Sequence, residues 1–136
     1  PKEFEKNFNI PKNQKKILLT IDDAFSSFYT EAWPYLKKNK IPFILFVSTE
    51  PVGKSGYMNW EEIKEIDNSE LGHIGHHSHT HEYLIDMDEK EFIKDIEIAT
   101  KIFKSKLGYS PSIFSYPFGL RLQVRYRRWQ LKIMRS

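Results

Sequence analysis

Short apolar runs and amphipathic helical stretches alternate along this chain, and the alternation limits its fold more than any other feature. Four of the runs are rich in β-formers and have the composition of buried parallel strands, at residues 15–22, 41–48, 72–78 and 112–118. Helical patterns lie between them, at residues 27–39, 60–66 and 88–107. Strands that alternate with helices favour an α/β fold with a parallel sheet.

The third helical pattern has the clearest ends. Its apolar positions form a single stripe, made of Phe92, Ile96, Ala99, Phe103 and Leu107. Asp88 is the expected N-cap, because its carboxylate can accept a hydrogen bond from the first turn. Gly108 stands where the helix is expected to end.

Composition limits the chain to one domain without disulfides. Its 136 residues suffice for a hydrophobic core, and it contains no cysteine that could form a thiolate ligand or a nucleophile. The longest apolar run, residues 41–47, contains Pro42 and is far too short to cross a bilayer. The chain begins at Pro1 without an initiator Met, so we expect any export signal to lie upstream.

Charge is distributed unevenly, because every arginine lies within residues 121–136. That tail has six basic side chains and no acidic one, whereas the first 120 residues contain lysine but no arginine. Such a tail is typical of a basic arm for nucleic acid or anionic surfaces. The abrupt change in lysine and arginine use instead favours a frameshift or chimeric join after Gly119. The tail also carries no recognisable nucleic-acid-binding motif, which argues against nucleic acid as a partner.

All five histidines of the chain lie between positions 73 and 81. Neutral imidazole is the commonest protein metal ligand, so this crowding favours a metal site over a solvated polar loop. His77 and His81 are four residues apart, and on a turn of helix their rings would project from the same face. Two imidazoles and one carboxylate would make a site with three protein ligands and open positions.

Asp22 and Asp23 follow the first predicted strand and can supply that carboxylate. An aspartate pair in this position could also simply cap the next helix. The histidines and residues 117–119 likewise follow predicted strands, and in parallel α/β folds chemistry gathers at the carboxyl ends of the strands. We therefore expect one shared site there.

Three segments resemble, in order and spacing, the motifs of the polysaccharide deacetylase (NodB-homology) family of carbohydrate esterases. The segments are LTIDDAF, GHHSHTH and FSYPFG. The resemblance implies an incomplete (β/α) barrel, with about four βα units present, over residues 15–119. Residues 1–14 would then be a lead-in, and residues 120–136 a basic tail that need not be the native continuation.

The resemblance also implies a metal-dependent mechanism. Asp23, His77 and His81 would hold a divalent metal, typically Zn²⁺ and sometimes Co²⁺ or Ni²⁺. Asp22 would be the general base, and metal-bound water would attack the amide of an N-acetylated polysaccharide. The backbone N–H of Phe118 would contact the oxyanion.

Further roles follow from the same resemblance. Tyr116 and Pro117 would line the substrate site together with Phe118. Ser78 and Thr80 would brace the histidine loop by hydrogen bonds. His79 is expected to point away from the metal. The remaining histidines, His73 and His76, are expected to be structural.

Departures from the family pattern are equally specific. Ala24 stands where the family usually has glycine, and Ser115 stands where many members have arginine. The family's general acid is a histidine late in the chain, and no histidine follows His81. We therefore expect a fragment with impaired N-deacetylase activity.

Two other functions remain open at this point. The chain could be an O-acetyl esterase that acts on acetylated glycans, since the metal chemistry is shared. It could also be a catalytically silent module that binds carbohydrate or metal. The family resemblance implies a polysaccharide or oligosaccharide partner and a location in the cell envelope or outside the cell, and it leaves the oligomeric state open.

Overall fold

The computed structural model describes residues 17–119, whose centre is a three-stranded parallel sheet. The strands stand in the order β1–β2–β3, with β1 at Leu19–Ile21, β2 at Phe43–Val47 and β3 at Gly72–His76. In the register, Leu19 pairs with Phe43 and Phe43 with Gly72. The predicted α/β fold with a parallel sheet is confirmed, and the strands are shorter than their apolar runs.

Three α-helices connect and cover these strands. They are α1 at Trp33–Lys38, α2 at Trp60–Asp67 and α3 at Glu89–Leu107. Within residues 17–119 we find no helix with the length and apolar character needed to cross a bilayer.

The first helical segment is not the continuous α-helix predicted over residues 27–39. A π-helical turn at Phe28–Ala32 precedes α1, and the Trp33 N–H donates to the carbonyl of Phe28, five residues earlier. Pro34 lies at the start of α1 and has no N–H to donate. The wider turn is consistent with this proline, because π-turns arise where the regular hydrogen-bond ladder is interrupted.

Side-chain caps fix the first turns of the other two helices, and a glycine ends the longer one. α2 begins with a capping box in which Asn59 and Glu62 accept each other's backbone N–H groups, at 2.9 Å in both directions. Asp88 and Glu91 form the same motif at the start of α3. Gly108 follows α3 with φ +85°, a conformation that glycine adopts without steric cost. The predicted cap and end of this helix are confirmed.

The hydrophobic core lies between the sheet and the helices. Every residue of β2 is buried, as expected for a central strand. The ring of Phe43 meets the rings of Phe28 and Trp33 edge to face, with centroids 5.2 and 5.6 Å away. Ile63 from α2 and Phe103 from α3 complete the same core.

The fourth predicted strand, at 112–118, is wrong. One parallel bridge forms there, between His76 and Phe114. The His76 N–H donates to Ile113 (2.8 Å), and the Ser115 N–H donates to the carbonyl of His76 (3.0 Å). Pro117 cannot donate to a ladder, and positive φ angles at Phe118 (+62°) and Gly119 (+70°) turn the chain away. The segment nonetheless extends the sheet order for one residue pair.

At Gly72, β3 packs so closely against α2 that there is no room for a side chain. A Cβ atom at this position would lie 2.3 Å from Cγ2 of Ile66 and 2.8 Å from its carbonyl oxygen. Because the second contact is backbone, we expect Gly72→Ala to lower the free energy of unfolding by about 1–3 kcal/mol. Chemical denaturation of both proteins measures the difference, with the exposed helical change Ser105→Ala as the control. Equal stability of Gly72→Ala and wild type would contradict this packing.

Candidate metal centre

Three side chains converge beyond the carboxyl ends of the strands. Asp23 follows β1, and His77 and His81 follow β3. The Nε2 atoms of His81 and His77 lie 2.7 and 3.4 Å from Oδ1 of Asp23. One donor atom from each residue lies within 4.8 Å of the other two. We call these three residues the Asp–His–His cluster.

The two histidines are brought together by a loop. Residues 77–81 form irregular backbone, so a turn of helix is not what places the two rings together. Ser78 and His81 have φ angles of +69° and +61°, and these left-handed residues reverse the chain within a short distance. The two imidazole rings then lie 5.1 Å apart, centroid to centroid, at an angle of 61°.

A second left-handed turn presents Asp23. Its φ is +72°, and that of Ala24 is +57°. Ala24 is buried, and its carbonyl accepts the Met58 N–H at 2.9 Å, which ties the turn to the chain before α2. The glycine that the family usually has at this position would adopt the same φ freely, whereas alanine costs about 1 kcal/mol or more. The departure at Ala24 is therefore tolerated with some backbone strain.

The orientation of His77 is set by the segment after α3. Nδ1 of His77 lies 2.8 Å from the carbonyl oxygen of Ser115. A carbonyl can only accept, so Nδ1 carries the proton, and the lone pair of Nε2 faces Asp23. In metal-binding histidines, a hydrogen bond from the ring nitrogen that does not face the metal usually fixes the tautomer in this way. Ser115 therefore contributes its backbone to the site, where many family members would place an arginine side chain.

The cluster has the ligand types of a metal site and, in the part of the chain that the structure describes, a buried carboxylate oxygen without a hydrogen-bond donor. Oδ1 of Asp23 is buried, and within residues 17–119 it receives no hydrogen bond, although both imidazoles are close. A buried carboxylate oxygen without a donor is costly. A divalent cation would satisfy it, and two imidazoles with one carboxylate are a common ligand set for Zn²⁺. The residues present therefore fit a metal ion.

Residues 9–131 match the family model described as polysaccharide deacetylase. The chain belongs to this family. The match extends on both sides of the three motifs, and it agrees with the parallel α/β arrangement described above.

Curated relatives of the chain agree with this assignment. The chain is 28% identical over 130 residues to the poly-beta-1,6-N-acetyl-D-glucosamine N-deacetylase of Staphylococcus aureus. The aligned region covers 86% of the chain and 44% of that relative. The chain thus spans less than half the length of this relative.

Solved structures extend the likeness to the fold. The structure of IcaB from Ammonifex degensii matches with a TM-score of 0.77 and 32% identity, over 97% of this chain and 60% of IcaB. The peptidoglycan deacetylase PdaC from Bacillus subtilis matches with a TM-score of 0.73 and 27% identity, over 89% of this chain and 57% of PdaC. The incomplete (β/α) barrel inferred from the motifs is thereby confirmed as the fold.

The loop between His77 and His81 is held by the hydroxyl groups of two of its own residues. Ser78 Oγ accepts the backbone N–H of His81 at 3.1 Å. Thr80 Oγ1 donates to the carboxylate of Asp95 at 2.8 Å. Asp95 did not emerge from the motifs. The sequence did contain a cue, because Asp95 falls among the apolar positions of α3. An acidic side chain buried at such a position requires hydrogen-bond partners.

The remaining histidines of the chain lie outside the cluster. His79 turns its Nδ1 toward Thr49 Oγ1, at 2.7 Å, and away from the cluster, as expected. His73 is exposed on β3. His76 is buried between the rings of Phe103 and Phe114, with both centroids at 5.2 Å. Burial lowers the pKa of His76 to about 4, so this ring is neutral at physiological pH.

The predicted general base and oxyanion contact border the cluster. Asp22 is exposed and immediately precedes Asp23. Phe118 packs its ring against that of His81, with centroids 4.9 Å apart, and leaves 68% of its surface exposed. The ring of Tyr83, 40% exposed, lies 5.7 Å from Phe118 and extends this aromatic rim. Tyr83 carries no motif signature, so the sequence did not single it out.

Tyr116 and Pro117 are more enclosed than Phe118. The ring of Tyr116 packs against Phe114, with centroids 4.7 Å apart, beside a small cluster built from Leu84, Phe92 and Ile96. Burial raises the pKa of Tyr116 to about 12, so the phenol stays protonated at neutral pH. Pro117 is buried. Their role as substrate-binding residues stays a prediction.

Proposed function

We propose that this chain carries the metal centre of a hydrolase that removes acetyl groups from an N-acetylated polysaccharide. The observation that supports this most directly is the Asp–His–His cluster, with the buried, unpaired Oδ1 of Asp23 facing two imidazoles. The exposed carboxylate of Asp22 stands next to it. A metal site with an adjacent base is one arrangement that activates water for attack on an amide.

Asp23, His77 and His81 would hold the cation, and we propose Zn²⁺, with Co²⁺ or Ni²⁺ as replacements. When bound, such an ion lowers the pKa of water and polarises a carbonyl oxygen. The hydrogen bond from His77 to Ser115 keeps Nε2 free for this purpose.

Around that centre, Asp22 and Phe118 have separate tasks. Asp22 is exposed, so its carboxylate can reach a water molecule and accept its proton as general base. Within residues 17–119 the backbone N–H of Phe118 donates to no acceptor. It is therefore available to the oxygen that becomes negative when the acetamide carbonyl is attacked.

The substrate we propose is a polymer of N-acetylated glucosamine in the cell envelope or outside the cell. The named relatives support this, since one is a deacetylase of poly-beta-1,6-N-acetyl-D-glucosamine and another of peptidoglycan. The exposed aromatic rim at Tyr83 and Phe118 offers apolar faces beside the metal centre.

Incubation of the zinc-loaded chain with N-acetylglucosamine oligomers tests this function. We expect release of acetate with an equal amount of free amine, and loss of both after chelation. Acetate released only from O-acetylated xylan oligomers would establish an esterase instead.

A catalytically silent metal- or carbohydrate-binding module is the second candidate. Ser115, which stands where many family members have arginine, is the observation that favours it. Stoichiometric zinc without acetate from either substrate would support it. A chain that takes up no zinc would refute the hydrolase and the metal-binding module, and it would leave carbohydrate binding, which titration with the same oligomers tests.

A further inference from the structure

A carboxylate buried on the inner face of α3 lies next to the metal-binding loop. Asp95 is 5% exposed, and its neighbours on that face include Phe92, Ile96 and Ala99. A charged group in such surroundings persists only when hydrogen bonds replace its lost water. The partners of Asp95 therefore indicate why the residue is there.

Among residues 17–119, all the donors that reach Asp95 come from the loop between His77 and His81. Oδ2 accepts the backbone N–H of His79 at 2.8 Å. Oδ1 accepts both the backbone N–H of Thr80, at 3.0 Å, and its hydroxyl, at 2.8 Å. Both carboxylate oxygens are thus used, and each acts only as an acceptor.

The opposite edge of the loop is held by the end of β2. Ser48 Oγ donates to the carbonyl of His77. The N–H groups of Thr49 and Glu50 donate to the carbonyls of Ser78 and His79, at 3.3 and 3.0 Å. The residues after β2 therefore donate to three carbonyls of the loop, and Asp95 accepts two of its N–H groups.

This double attachment explains how the loop keeps its strained backbone. Ser78 and His81 both have positive φ, which persists only where the surroundings determine the conformation. We propose that Asp95 is a positioning residue that fixes the spacing of His77 and His81 for a divalent metal. The inference rests on the metal centre proposed above and extends it to a residue that touches no ligand atom.

The experiment compares the zinc affinity of the full chain and of Asp95→Asn, measured by competition with a chelating dye. An asparagine amide would place an NH₂ group against a backbone N–H, so one of the three hydrogen bonds becomes a repulsion. We expect zinc affinity to fall by about 10- to 100-fold, the range found when supporting partners of metal ligands are lost. The absorption spectrum of bound Co²⁺, which reports coordination geometry, should change as well.

Asp88→Ala is the matched control. Asp88 also accepts a backbone N–H, from Glu91 at 2.9 Å, and it also stabilises α3, but it does not contact the loop. We expect this variant to lower stability while zinc affinity changes by less than about threefold, since N-caps contribute only to the helix. An equal loss of affinity in both variants would show that Asp95 acts only through helix stability, and would overturn its assignment.

Two further outcomes separate this inference from the proposed function. Wild type that binds zinc, with Asp95→Asn binding equally tightly, would overturn the role of Asp95 alone. Wild type that binds no zinc would overturn the metal centre and this role together. If Asp95→Asn does not fold, Thr80→Val removes only the hydroxyl contact, and we expect about tenfold weaker zinc binding from it. Unchanged zinc affinity and an unchanged Co²⁺ spectrum in Thr80→Val would contradict the assignment.

Discussion

Asp23→Asn is expected to abolish zinc binding while leaving the metal-free fold intact. Asparagine is the replacement of choice because Asp23 has φ +72°, a conformation that asparagine tolerates far better than alanine. The change removes the negative charge from the ligand set, and the two imidazoles cannot replace it in balancing the charge of a divalent ion. We expect affinity to fall by more than about a hundredfold, because the loss of a ligand exceeds the 10- to 100-fold cost of losing a supporting partner.

The thermal stability of this variant distinguishes a metal ligand from a structural carboxylate. Metal-free Asp23→Asn should differ little in stability from metal-free wild type, because Nε2 of His81, 2.7 Å from Oδ1 of Asp23, can also donate to the amide oxygen of asparagine. Zinc at a hundred times its dissociation constant should stabilise wild type by about 2.7 kcal/mol. The variant should gain almost none of this. Thermal unfolding with and without zinc, together with metal analysis of the purified chains, measures both effects.

Retention of one zinc per chain in Asp23→Asn would contradict the assignment of this ligand. A strong loss of metal-free stability would instead indicate that the carboxylate has a structural partner. The neighbouring change Asp22→Asn is the matched control, since it removes the same charge one residue away and should leave zinc content unchanged.

Asp22→Asn is expected to remove most of the hydrolytic activity without removing the metal. A positioned general base contributes about 10²- to 10⁴-fold to the rate, and asparagine cannot accept the proton. Asp22 is exposed and stands outside the Asp–His–His cluster, so zinc binding should persist. Acetate release from N-acetylglucosamine oligomers under single-turnover conditions, with zinc content measured on the same samples, tests both parts.

Activity equal to wild type in the zinc-loaded Asp22→Asn protein would show that another group takes the proton. Loss of zinc together with activity would place Asp22 among the ligands. The two aspartates can therefore be assigned from one pair of variants.

The sequence was sufficient for the features that depend on local pattern. Alternation of apolar runs with helical stretches predicted the parallel sheet, and the end signals at Asp88 and Gly108 located the long helix. The rule that polar residues gather at the carboxyl ends of strands placed Asp23 near His77 and His81, which the structure brings together. Their role as metal ligands stays a prediction.

Features that depend on distant contacts or unusual backbone were not predictable. The i, i+4 spacing of His77 and His81 suggested a helix, but the positive φ of Ser78 has no sequence signature in a serine. The apolar run at 112–118 resembled a strand, yet it forms one bridge with β3, at Phe114, and its proline-containing end turns away. Asp95 could be understood only once the loop it binds was located in space.

The hydrogen bond from His77 to Ser115 also bears on how the site forms during folding. It joins residues 38 positions apart, and Asp23 lies more than 50 residues before His77 in the opposite direction. Loops of this length must close before the contacts they bring together can contribute, so the entropy of closure delays the site relative to the local helices. An oriented Nε2 at His77 thus requires that the span from His77 to Ser115 has already folded, and the complete cluster requires the span from Asp23 as well. Metal uptake in this chain would accordingly follow, and report, the completion of tertiary structure.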